Sequence, residues 1–193
     1  MSMHKRLPST IDEAIEQTQD FFCYGEERED LEVRMRFVQT LPEGSVAMEF
    51  GIGEGRYPIV IGMVNPKIHI VTFDIGRRDI PDDELITRTL DRAQGCGVTD
   101  ITCLIANSVT SWIPWMKLNY LGIDSDGSYE ITKKEIEKFF PRVLPGGRIF
   151  MQSYNLTNKY PGIKQAVDEY LLQNKRYALG EQYHNTREIY VQS

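Results

Sequence analysis

Two hydrophobic rhythms alternate along the chain. Residues 11–22 and 26–40 carry apolar side chains at helical spacing, with Leu31, Met35 and Val38 on one face of the second stretch. Ser9 and Thr10 precede Asp12 and Glu13, a cap followed by early acids that suit the helix dipole. Pro42-Glu43-Gly44 breaks this pattern. Short apolar runs then predict strands at 45–50, 68–73, 100–105, 117–123 and 148–151. Between them, amphipathic stretches predict helices at 58–64, 82–94 (closed by Gly95), 131–140 and 161–172. Pro145-Gly146-Gly147 reads as a turn before the fifth strand. Two β-rich runs, 177–183 and 187–191, close the chain around His184-Asn185-Thr186.

Strands alternating with helices imply an α/β fold with a parallel sheet covered on both faces. The two closing runs have no room for a crossover helix, so they must pair antiparallel. The expected architecture is a doubly wound, mostly parallel seven-stranded sheet with an antiparallel C-terminal hairpin. One domain is expected over 1–193, with an N-terminal helical cap at 1–44 and an α/β core at 45–193. Ligands of such sheets bind at the carboxyl ends of the strands, near the reversal of strand order.

The densest local signal lies at one of those ends. Glu49-Phe50-Gly51-Ile52-Gly53-Glu54-Gly55 closes the first strand and precedes a helix. Glycines at alternate positions let the backbone turn sharply and approach a ligand without side-chain obstruction. Asp74 ends the next strand, where an acid can accept hydrogen bonds from ribose hydroxyls. A nicotinamide dinucleotide usually rests on G-x-G-x-x-G, whereas this loop reads G-x-G-x-G. Glu49 would also repel a pyrophosphate. S-adenosylmethionine carries an amino group and a sulfonium and no phosphate, so the electrostatics favour it.

With these residues in place, the chain resembles the class I S-adenosylmethionine-dependent methyltransferases, whose fold is Rossmann-like. Glu49 to Gly55 is similar to their glycine-rich first motif, and Asp74 to their ribose-binding acid. The segment Pro141-Arg142-Val143-Leu144-Pro145-Gly146-Gly147-Arg148-Ile149 resembles their L-x-P-G-G approach to the fifth strand. The resemblance runs from about residue 45 to the C-terminus. A narrower likeness is to small-molecule and sugar O-methyltransferases of the macrocin and catechol types. Gly122-Ile123-Asp124-Ser125-Asp126-Gly127-Ser128-Tyr129-Glu130 and the helix beginning Pro161-Gly162-Ile163 carry it.

The resemblance implies cofactor contacts at Glu49, Gly51, Gly53, Gly55 and Asp74, with Asn107 and Ser108 near the adenine. It implies that Asp124 orients the acceptor hydroxyl, takes its proton, or helps to hold a divalent metal. Two departures stand out. Gly127 replaces a family histidine. Met151-Gln152-Ser153-Tyr154-Asn155 replaces an acid pair after the fifth strand. A hard divalent ion wants several charged oxygens, so magnesium is not favoured and no metal ligand is assigned. Two alternatives stay open: a non-catalytic methyltransferase-like binding module and a nicotinamide-dependent oxidoreductase.

Composition narrows the partners. Acids number 28 and bases 22, a formal net charge of −6, which disfavours a nucleic-acid partner and leaves a small-molecule acceptor. No apolar run approaches a membrane span, and the N-terminus lacks the core of a secretory signal. Cys23, Cys96 and Cys103, an odd count without Cys-x-x-Cys spacing, read as reduced thiols of a cytoplasmic protein. A homodimer remains open. Trp112 and Trp115 are expected to pack under a loop or to wall a pocket. Tyr129, Tyr154 and His184 are the other titratable candidates near the acceptor.

Overall fold

The computed structural model describes residues 7–20, 28–76, 80–124 and 126–192. Residues 1–6, Cys23, Ser125, the end of the first predicted helix and the start of the second lie outside the described residues. Seven strands form one sheet: β1 (Val46–Phe50), β2 (His69–Asp74), β3 (Ile101–Ile105), β4 (Leu118–Ile123), β5 (Val143–Met151), β6 (Tyr177–Gln182) and β7 (Arg187–Val191). Their spatial order is β3-β2-β1-β4-β5-β7-β6. The first five run parallel, and β7 pairs antiparallel with both β5 and β6. Strand order therefore reverses at β1, which pairs with β2 on one side and β4 on the other.

The helices are α1 (Ile11–Gln17), α2 (Arg28–Gln39), α3 (Arg56–Val64), α4 (Asp82–Gly95), α5 (Tyr129–Phe139) and α6 (Pro161–Gln173). Thr10 caps α1 by accepting from the Glu13 amide at 3.1 Å, and Ser128 caps α5. One apolar layer joins Ala14, Leu31, Met35 and Val38 of the N-terminal helices to Ile59 and Ile61 of α3 and to Ala47, Tyr120 and Phe150 of the sheet. The opposite layer joins Ile136 and Phe139 of α5 and Val167 of α6 to Met48, Phe50, Val71 and Phe73. Side chains alternate along β1, so Ala47 and Glu49 face the α2 layer while Met48 and Phe50 face α5. An acid thus occupies a core position of β1.

Three local details depart from the sequence reading. Helix α4 continues through Gly95, and the chain turns instead at Gly97, whose φ of +78° is readily reached only without a side chain. Strand β5 begins at Val143 rather than Arg148. Its pairing shifts register between Leu118 and Tyr120, so the Pro145-Gly146-Gly147 segment is absorbed as an irregularity within the strand rather than standing before it as a turn. Between β3 and β4, residues 106–117 contain no helix. That crossover is fastened to α5 and to the turn after it by the Lys138 ammonium, which donates to the carbonyls of Ser108 (2.6 Å) and Ser111 (2.9 Å), and by Arg142, which donates to the Pro114 carbonyl (3.1 Å). Fastened through its backbone, the crossover leaves Trp112 and Trp115 85% and 66% exposed rather than packed beneath the loop, and neither lines the cavity over the strand ends. Among the described residues no helix is long and apolar enough to cross a membrane.

Candidate functional site

A cavity of about 900 Å³ opens over the carboxyl ends of β1, β2 and β4. Glu49, Gly51, Gly53, Asp74, Asn107, Ser108 and Asp124 all border it. Gly55 does not. It stands at the start of α3 with φ +83°, and an added Cβ there would lie 3.1 Å from the Thr89 methyl, so this glycine serves the entry and packing of the helix.

The glycine loop is held in shape by the strand beside it. Gly51 and Gly53 both have positive φ (82° and 52°). The Gly51 amide donates to the Phe73 carbonyl at 2.8 Å. Asp74 Oδ2 accepts from the amides of Ile52 (2.9 Å) and Gly53 (3.3 Å), and its Oδ1 accepts from the Gly76 amide (3.1 Å). A carboxylate offers about four acceptor sites, so its bonds to the described residues leave about one for a ligand hydroxyl. Glu54 ties the same loop to α4 through an ion pair with Arg92 at 2.8 Å.

Behind the opposite end of the cavity lies a buried arginine. Arg34 of α2 is 1% exposed. Its Nη1 pairs with Glu49 Oε1 at 2.9 Å and approaches the Tyr120 hydroxyl at 3.4 Å. Its Nη2 donates to Gln152 Oε1 at 2.5 Å and to the Thr186 hydroxyl at 3.3 Å. The guanidinium also stacks 4.5 Å from the centre of the Tyr57 ring. Tyr120 in turn donates to Glu49 Oε2 at 2.8 Å, so both carboxylate oxygens are engaged. Burial and the neighbouring Asp124 charge push the Glu49 carboxyl up to about 7, against the opposing pull of Arg34 and Tyr120. Gly122 of β4 stands beside Glu49 in the β1–β4 pairing, where an added Cβ would lie 1.9 Å from Glu49 Oε2.

Asp124 follows β4 and is exposed toward the cavity, although protein atoms crowd its carboxyl group. Burial raises its pKa, the Arg34 charge lowers it, and Asp74 raises it further. Asn107 Oδ1 accepts from the amides of Val109 and Thr110, both at 2.9 Å, which closes a local turn. Ser108 donates to Glu135 of α5 at 2.6 Å. Tyr129 and Tyr154 donate instead to Glu169 and Asp168, both at 2.5 Å, and neither borders the cavity. His184 is exposed in the turn between β6 and β7.

The wall is acidic. Asp20, Glu54, Asp126 and Glu135 join Glu49, Asp74 and Asp124, and no described wall residue is a lysine or arginine. Arg34 reaches the site from behind the wall, through Glu49 and Gln152. Sequence reasoning missed it, although one signal was present: an arginine between Leu31 and Met35 on the apolar stripe of α2. Tyr120 and Thr186 carried no comparable signal.

No family model matches the chain, and no curated protein does at a significant level of similarity. Solved structures do match. A candidate caffeoyl-CoA O-methyltransferase from Staphylococcus aureus superposes with a TM-score of 0.71 at 13% identity, covering 96% of this chain and 93% of its own. The chain has the fold of the class I S-adenosylmethionine-dependent methyltransferases. CalS11, a TDP-rhamnose 3'-O-methyltransferase of calicheamicin biosynthesis, gives 0.63 at 20% identity over 95% and 87% of the two chains. An rRNA methylase from Streptococcus thermophilus gives 0.65 at 15% identity over 88% and 100%. Among these neighbours the same sheet occurs in proteins described as acting on a sugar nucleotide and on rRNA.

Proposed function

We propose that this chain is an S-adenosylmethionine-dependent methyltransferase acting on a hydroxyl of a small-molecule acceptor. The observation that carries the reading is the cavity at the strand-order reversal, with glycine turns on one side and carboxylates around it. A dinucleotide would place its pyrophosphate among Glu49, Glu54 and Asp74, where like charges repel. A sulfonium nucleoside with an ammonium tail finds the opposite sign. The neighbours that methylate RNA share the sheet, but phosphate backbones need basic surface. An acidic cavity and a net charge of −6 favour a small acceptor.

In this reading the glycine turns and the Glu49 side of the cavity take the amino-acid tail. Asp74 takes a ribose hydroxyl, and the Asn107–Ser108 loop lies against the adenine. When bound, S-adenosylmethionine supplies a methyl group on a cationic sulfur that leaves as a neutral thioether. Asp124 would receive the hydroxyl proton as the acceptor oxygen takes the methyl group. Its raised pKa makes it a better base for this step than an ordinary aspartate. The chain's larger contribution is alignment of the acceptor for in-line attack.

A labelled-methyl transfer screen tests the proposal, with hydroxylated small molecules in one arm and RNA in the other. Label entering a small hydroxylated acceptor, with loss of transfer in Asp124→Asn, is the expected result. Label entering RNA alone would contradict the acceptor class. Saturable quenching of NADH fluorescence without any methyl transfer would favour an oxidoreductase.

A further inference from the structure

The tips of β4 and β5 are where the O-methyltransferase resemblance implies a divalent ion. Asp124 and Gln152 stand there as neighbours, because the Gln152 amide donates to the Ile123 carbonyl at 2.9 Å. Gln152 is 8% exposed and forms part of the cavity wall. Its amide is oriented from behind. Arg34 has donors only, so the atom it meets at 2.5 Å must be the carbonyl oxygen. The Thr186 hydroxyl donates to that same oxygen at 3.1 Å. The amide nitrogen has no hydrogen-bond partner among the described residues.

These residues do not fit a hard divalent ion. Such an ion wants about six or more oxygens, several of them charged. At the tip of β5 it would meet N–H donors backed by a fixed guanidinium. Among the described residues, no three His, Cys, Asp or Glu side chains gather to hold a metal.

We propose that Arg34 is a built-in cation standing in for a divalent ion: it grips Gln152 by the carbonyl oxygen, so that the amide nitrogen and the Asp124 carboxylate face the acceptor as a donor–acceptor pair. A neutral hydroxyl fits this pair. Its hydrogen goes to Asp124 and its oxygen takes an N–H from Gln152, which leaves a lone pair for the incoming methyl. A phosphate or carboxylate acceptor would meet Asp124 with like charge. Gln152 is then a specificity-determining residue, and Arg34 is a positioning residue that acts through it.

The inference rests on the methyl-transfer reading, so the test measures both on the same full chain: calorimetry with S-adenosylhomocysteine and electron paramagnetic resonance titration with Mn²⁺. The expected result is nucleoside binding with no Mn²⁺ uptake below about 1 mM. Gln152→Glu alone stays at the wild-type Mn²⁺ level, because Arg34 pairs with the new carboxylate. Arg34→Met combined with Gln152→Glu gains Mn²⁺ affinity by roughly tenfold or more. Wild-type Mn²⁺ binding tighter than about 1 mM and abolished by Asp124→Asn would overturn the built-in cation and leave the methyl-transfer reading standing. Absence of nucleoside binding would overturn the reading itself. Should the double variant fail to fold, Arg34→Lys supplies a second readout. The Gln152 side-chain amide signals, assigned by their loss in Gln152→Glu, are expected to shift in a nitrogen-15 spectrum. Unmoved signals would overturn the proposal.

Discussion

The two ends of the cavity are built by different means. At the β1–β2 end, the glycine loop and Asp74 hold one another through backbone amides no more than 22 positions away in sequence. At the β4–β5 end, Arg34 reaches Gln152 across 118 positions and Thr186 across 152, side chain to side chain. The first end shapes a surface that any sequence with the right glycines can copy. The second is a buried ionic cluster whose members depend on one another, and it ties the N-terminal helices to β1, β4, β5 and the segment preceding β7. Loss of one member should therefore damage the second end far more than the first.

Arg34→Met tests this contrast with the largest effect. Removing one partner of a buried ion pair typically costs about 3–5 kcal/mol. The raised pKa lets Glu49 protonate, which holds the loss near the lower figure. Urea denaturation should show it, and adding Glu49→Gln should recover part. An unchanged midpoint would mean that the cluster does not anchor α2. Gly122→Ala presses on the same pair from the sheet side and should cost about 2 kcal/mol, as overpacking does. Calorimetric affinity for S-adenosylhomocysteine should fall with it.

Asp74→Ala strikes the other end. Hydrogen bonds to a charged group contribute about 1.5–3 kcal/mol, so the nucleoside should bind roughly tenfold to a hundredfold more weakly. The fold should suffer less than in Arg34→Met, because the freed loop amides can turn to water. A stability loss equal to that of Arg34→Met would erase the contrast.

Protonation separates the two ends more gently. The Glu49 carboxyl titrates near 7 in the folded chain and near 4.5 in the unfolded one. Between these values the unfolded chain releases its proton first, so the contribution of Glu49 to stability declines as pH rises from about 4.5 to about 7. Nucleoside affinity should move the other way, weakening as pH falls through about 7, because a cationic tail prefers the ionised acid. Glu49→Gln should flatten that profile. Smallest of all, Trp112→Ser should change stability by no more than about 0.5 kcal/mol and leave nucleoside affinity unchanged, since the ring is largely in solvent.

The same contrast explains what could be read from the sequence. Strand and helix rhythm, the hairpin and the glycine loop are local patterns, and they appear in the structure where the residues place them. So do Asp74 and Asp124 at their strand ends. Ends of elements were less legible: Gly95 lies inside α4, and Pro145-Gly146-Gly147 sits within β5, because register against β4 overrides the local turn signal. The Arg34 cluster was illegible for a different reason. Its members share no spacing, and only folding brings Arg34, Glu49, Tyr120, Gln152 and Thr186 together. Trp112 and Trp115 mislead in the opposite sense, since large aromatic residues suggest burial and the helix-free crossover leaves them in solvent.

Calorimetric titration of the wild-type chain with S-adenosylhomocysteine, run beside NAD, tests the cofactor reading most directly. The account predicts saturable one-to-one binding of the nucleoside and no heat from NAD. Absence of nucleoside binding at millimolar concentration, or NAD binding the more tightly, would contradict it.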